Sequence, residues 1–172
     1  GAVLPPGSGP AAASVVEAEG RCLVPGFIDS HVHMESSMVG PGEFAAVAAS
    51  CGVTTLVADP HEIANIFGAG GIHYMLEATE DAAARVFIML PSCVPASSLE
   101  QGAATLTAAD LSPFLAHPRV LGMGEMMNYP GVLAREREVM DKITLIHAHN
   151  DASFGHLQGL TLDGHAPYVL VR

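Results

Sequence analysis

Short β-branched apolar runs alternate with segments of helical periodicity along most of the chain, at a spacing of roughly 25 to 40 residues, the pattern of βαβ units and a parallel sheet. The runs are Gly26 to Asp29, Val53 to Ala58, Arg85 to Leu90, Val120 to Gly124 and Gly159 to Asp163. Helical segments fall near Pro41 to Ser50, Gly71 to Thr79, Thr107 to Ala116 and Val132 to His149. Pro41 suits the first turn of its helix and Gly52 the position just past its end, while Thr107 with Asp110 reads as a capping box. Ahead of these units, Gly and Pro dominate the first ten or so residues, which read as linker. A short strand at Val15 to Ala18, a Glu19-Gly20 turn and Cys22 to Val24 follow. Five parallel strands fit either a doubly wound sheet or most of a barrel. A complete eight-unit barrel takes about 250 residues, more than the 172 present.

Composition narrows the classes of function. Hydrophobic residues make up 49% of the chain, enough for a buried core, and 18 acidic against 7 basic residues give a net charge of −11. That charge repels phosphate backbones and anionic lipid, so neither nucleic acid nor a membrane is an expected partner. The longest apolar stretch, Ala45 to Ala58, is broken by Ser50, Gly52, Thr54 and Thr55 and falls short of the roughly 20 residues of a membrane span. Neither a natural start nor a signal peptide reads from the N-terminus, and Gly1 is expected to mark a cut. Cys22, Cys51 and Cys93 are odd in number and without a CxxC, which argues against a disulfide framework and for a reducing cytoplasm. Nine His in so acidic a chain point elsewhere, because imidazoles and carboxylates together are a ligand set for divalent metals.

The sharpest motif is Pro25-Gly26-Phe27-Ile28-Asp29-Ser30-His31-Val32-His33. Side chains repeat every two residues on one face of a strand, so Asp29, His31 and His33 point the same way, and two imidazoles from one strand can grip one metal. The alternative is a hydrogen-bonded His pair; the apolar lead-in and the following Glu35 favour ligands. Asp59-Pro60-His61-Glu62 follows the second strand, and Glu125 ends the Gly-rich fourth. In parallel α/β architectures the catalytic side is the C-terminal edge. A carboxylate among apolar neighbours needs a cation, so Glu125 reads as metal-binding or catalytic rather than as a structural ion-pair partner. His61 and Glu62 fit either the site or a cap on the next helix. His165, after the fifth strand, reaches the same rim.

The other His sort apart. His117 precedes the fourth strand and faces the opposite, stabilising end, and His73 lies in a helix. His147 and His149, two apart on a helix, diverge by about 200° and do not share a metal; with His156 they read as solvated. Cys93 reads as a small buried residue in a rigid loop, and Met75, Met89, Met123, Met126 and Met127 as core. No Walker-type loop, GxSxG elbow or GxGxxG follows a strand, so phosphoryl transfer, serine hydrolysis and dinucleotide binding have no support.

Taken together, PGFIDSHVHMESSM, ADPHEIAN, MLPSCVPA, GMGEMMNYPGV and LDGHAP resemble the adenine deaminases of the metal-dependent amidohydrolase superfamily, in order from about Val15 to Pro167. The resemblance implies an incomplete (β/α)8 TIM-type barrel: residues 1–24 linker and remnant of a flanking β-sandwich, residues 25–172 about the first five βα units. It matches His31 and His33 to the first-strand metal pair, Glu125 to a carboxylate bridging two metals and His165 to the fifth-strand ligand. His61 and Glu62 match a signature near the substrate and, with Glu125, are the catalytic candidates. A strand-six His and a strand-eight Asp complete such sites, and neither strand is read here. The implied reaction is hydrolysis of adenine to hypoxanthine and ammonia, with two divalent ions, manganese foremost, iron and zinc next. A homo-oligomer is expected of the full-length protein. Two alternatives stand beside this. A cyclic amidase would usually resemble the pattern with a carboxylated Lys where Glu125 stands, and a non-catalytic fragment would lack turnover.

Overall fold

The computed structural model describes residues 3–5, 7–97, 99–152 and 159–165. From Phe27 onward, strands and helices alternate: β1 (Phe27–Val32), α1 (Pro41–Ser50), β2 (Val53–Ala58), α2 (His61–Phe67), α3 (Ala69–Ala78), β3 (Arg85–Leu90), α4 (Ala108–Leu111), β4 (Val120–Met126), α5 (Tyr129–Ala134), α6 (Arg137–Ala152) and β5 (Thr161–Gly164). The sheet order is β1-β2-β3-β4-β5, and every neighbouring pair is parallel. Each strand is laid beside the last without reversal. A doubly wound sheet reverses its order at a switch point, so this order decides for the open part of a (β/α) barrel.

The core lies between the sheet and its helices. Leu56, Val86, Ile88, Leu90 and Met123 of the strands pack in one cluster with Ala45, Ile72, Met75, Leu111 and Ile146 of the helices. β1 and β5 are the edges of the described sheet. Phe27 and Ile28 are accordingly 64% and 66% exposed, although their run reads as apolar strand.

Helix α1 has the bounds its pattern dictates, with Pro41 in its first turn and Gly52 just past the end at φ 89, a conformation open to Gly. The capping box at Thr107 forms as read, but its helix is one turn long before a 3-10 turn at Ser112–Phe114. The segment Val132 to His149 is two helices, not one. Arg135 adopts a left-handed conformation that ends α5, and α5 itself starts three residues earlier than read, with Asn128 Oδ1 accepting from Gly131 N–H at 3.0 Å. Residues Val15 to Ala18 and Cys22 to Val24 are not strands. The turn between them does form, with φ 52 at Glu19 and 78 at Gly20 and a 2.9 Å bond from Arg21 N–H to Ala18 O. Among the described residues its flanks pair with no strand, and Val16 and Leu23 are 91% and 97% exposed.

Asp110 accepts from both the hydroxyl and the backbone N–H of Thr107, and these bonds hold its carboxyl below the ordinary value of 3.8. Ionisation is easier in the fold than in the unfolded chain. The bonds therefore stabilise fully above that ordinary value and are lost as pH falls through the lower folded one. Thr107→Ala should destabilise by about 1 kcal/mol near neutrality, and the deficit should shrink only below about pH 4. Urea titrations of wild type and variant across pH measure this; a deficit that disappears between pH 7 and 5 contradicts it.

Candidate metal centre

Four of the five strands deliver a polar side chain to one rim. β1 ends at Val32, so His31 and the following His33 sit at its C-terminal end, Asp59 and His61 follow β2, Glu125 is the penultimate residue of β4, and His165 follows β5. Their convergence is close. His31 Nε2 lies 3.1 Å from His33 Nε2, and Glu125 Oε1 is 3.5 Å from the first and 3.3 Å from the second. His61 Nδ1 is 3.7 Å from the same oxygen, while His165 Nε2 bonds Glu125 Oε2. The His pair is thus mutually bonded, as the hydrogen-bonded alternative expects, and is also turned toward a carboxylate. Glu62 lies at the margin, near His33 and His61, with its carboxylate accepting from Ser36 Oγ.

Backbone contacts aim these side chains. His33 Nδ1 meets Asp59 O at 2.8 Å, which turns Nε2 inward. Asp59 is 1% exposed, and its Oδ2 accepts from Glu125 N–H at 2.8 Å. It can do so because residue 124 is Gly: a Cβ there would overlap the Asp59 carboxylate. Asp59 therefore spans from β2 to β4, and the segment DPHE is not a helix cap, since α2 has no side-chain cap. Glu35 takes that part, with Oε1 accepting from Glu62 N–H at 3.2 Å.

The electrostatics follow from this packing. Asp59 Oδ1 lies 3.3 Å from His61 Nδ1, and the carboxylate raises the His61 imidazole above its ordinary value against the effect of burial. Burial pushes the Glu125 carboxyl up, but the bond from His165 and the imidazoles of His31 and His61 more than offset it, leaving Glu125 below its usual 4.5. Burial is the main influence on Glu35 and raises its carboxyl.

A divalent cation fits these residues. Asp59 Oδ1 and His61 Nδ1 are buried without a hydrogen-bond partner, and among the described residues every ion-pair partner of Glu125 is an imidazole, none a Lys or Arg. The triangle of His31 Nε2, His33 Nε2 and Glu125 Oε1 has edges of 3.1, 3.3 and 3.5 Å, close to the roughly 3.0 to 3.4 Å between ligand atoms about 2.1 Å from one ion. Asp59, His61 and Glu125 form a second such group. The motif Asp59-Pro60-His61-Glu62 alone does not single out Asp59; its place directly after an apolar strand, at the rim that Glu125 also reaches, is the signal for it.

The remaining His lie elsewhere. His73 stacks on Phe114 with centroids 4.6 Å apart, His117 accepts from Arg119 N–H at 3.2 Å at the other end of β4, and His147 and His149 are on α6; His156 is outside the described residues. Cys93 is buried, as its loop suggests.

A sheet wound one way, with an imidazole and carboxylate cluster at its C-terminal rim, is the open part of a (β/α) barrel with a candidate metal centre. The Amidohydrolase family profile matches residues 22–166, and the chain belongs to that family. It is 50% identical over 151 residues to adenine deaminase 2 of Carboxydothermus hydrogenoformans, covering 88% of this chain and 25% of that protein. It is also 51% identical over 154 residues to an adenine deaminase of Clostridium acetobutylicum, covering 90% and 25%, and 50% identical over 157 residues to one of Geobacillus kaustophilus, covering 91% and 27%. The chain thus spans about a quarter of the length of these relatives.

Gly124→Ala should destabilise the domain by roughly 1 to 3 kcal/mol, because the added methyl displaces the Asp59 carboxylate. Combining it with Asp59→Ala should cost less than the sum of the two single changes, since the clash then has no partner. Denaturant midpoints for the three variants test this, and strict additivity contradicts it.

Proposed function

We propose that this chain is part of an adenine deaminase and carries most of its metal centre, with hydrolysis of adenine to hypoxanthine and ammonia as the reaction. The observation that carries the reading is the convergence of His31, His33, His61 and His165 on the two oxygens of Glu125, in a chain about half identical to adenine deaminases. His31, His33, Glu125 and His165 would hold divalent metal, two ions in this reading, and manganese, iron or zinc suits nitrogen and oxygen donors without thiolate. Such an ion supplies a Lewis acid that makes water nucleophilic near neutral pH.

The chain's own groups supply position and protons. Asp59 fixes the Glu125 peptide, and the low pKa of Glu125 keeps both its oxygens available as acceptors. A cleft of about 340 Å³ beside the cluster is lined by His61, Glu62, Asn65, Ile66, Glu100 and Met127. Its size falls within the range of small-molecule pockets, and its mix of imidazole, carboxylate, amide and apolar groups matches a flat base with ring acceptors and N–H donors. His61 and Glu62, which line it, would exchange protons with the ring and the departing amine.

Ammonia release from adenine by the full polypeptide that carries this sequence is the direct test. Glu125→Gln keeps the volume and removes the charge, so bound metal and turnover should both fall by more than about 100-fold, beyond what loss of supporting groups costs. Normal metal content and turnover in that variant overturn the reading. The isolated 172 residues should release little or no ammonia, because β1 and β5 leave unpaired edges; turnover equal to that of the full polypeptide contradicts this.

A further inference from the structure

The peptide of Glu125 is held from both sides by side chains of other strands. Its N–H goes to Asp59, and its C=O accepts from Ser92 Oγ as well as from the Met127 N–H at 3.0 Å. These bonds replace a ladder: β3 pairs with β4 only as far as Leu90 opposite Met123, so on that side the sheet ends before Glu125. Ser92 follows β3, and its own C=O accepts from Lys142 Nζ of α6 at 2.8 Å.

Lys142 is an unusual residue at that place. It is 5% exposed, and among the described residues the ion pairs within 4.0 Å do not include it. Burial lowers its pKa from the usual 10.5. A buried ammonium without a carboxylate partner is costly, and an apolar side chain of similar length would pack the same space at less cost. Its bond ends on the one residue whose hydroxyl meets Glu125. Two further bonds tie the same loop down, from Asn128 N–H to Cys93 Sγ at 3.4 Å and from Leu106 N–H to Val94 O at 3.0 Å.

We propose that Lys142 and Ser92 are positioning residues for Glu125: the ammonium fixes the loop after β3, and the Ser92 hydroxyl on that loop orients the Glu125 peptide so that its carboxylate faces the His cluster. Neither belongs to the groups of side chains that could hold a metal. The inference rests on the reading of Glu125 as a metal-holding carboxylate.

The test is the affinity of the full polypeptide for Co(II) alone, measured by chelator competition and by the visible absorption of the bound ion, in wild type, Lys142→Met, Ser92→Ala and the double variant. Each single change should weaken Co(II) binding by about tenfold or more and alter the spectrum. The double variant should bind no more weakly than the worse single one, because both changes break one linkage. Lys142→Met should melt at or above the wild-type temperature. Wild-type affinity and spectrum in both single variants overturn the inference alone, as do losses that add in full or a lower melting temperature at unchanged affinity. A wild-type protein that binds no Co(II) at the rim overturns the reading of the site as well. If Lys142→Met does not fold, Ser92→Ala decides, by weakened or intact binding.

Discussion

The rim of this sheet depends on one hydrogen bond, from the backbone N–H of Glu125 to the buried carboxylate of Asp59. A carboxylate this far from water requires donors, and β4 offers one only because Gly124 leaves room for Asp59 to approach. That contact joins β2 to β4 across the intervening strand. It also fixes the peptide from which Glu125 projects, and it brings His61, two residues after Asp59, beside the same carboxylate. Where the ladder from β3 runs out, Asp59 and Ser92 take the place of a strand neighbour. The backbone is thereby satisfied by side chains, and Glu125 is left free to face the imidazoles.

From that point the chemistry is a matter of what surrounds one carboxylate. Imidazoles from the ends of β1, β2 and β5 reach it, and no Lys or Arg among the described residues forms an ion pair with it. Imidazoles and a carboxylate lack the permanent cation that a structural ion pair would contain, and a divalent ion would fit the arrangement. The single Lys of the sequence, Lys142, bonds one loop away, to the backbone of Ser92.

Much of this was legible in the residues themselves. The period of two places His31 and His33 on one strand face without any tertiary information, and the position of Glu125 and His165 just after apolar runs assigns them to the same rim. Thr107 with Asp110 and Pro41 with Gly52 are local signals, and both form as read. The features that escaped are nonlocal. Whether five parallel strands wind one way or two depends on which strands pair. Val15 to Ala18 has the pattern of a strand but no partner among the described residues. The break at Arg135 is a backbone conformation that no Gly announces. The burial of Lys142 depends on how α6 docks, and a lone Lys in a helix otherwise reads as solvated.

The central claim is that His31, His33, Glu125 and His165 bind metal together. Anomalous scattering from crystals of the full polypeptide grown with manganese tests it most directly. The account predicts density between the Nε2 atoms of His31 and His33 and the carboxylate of Glu125, with His165 on the opposite oxygen. Manganese bound elsewhere on the protein, with these four side chains making contacts only among themselves, would contradict it.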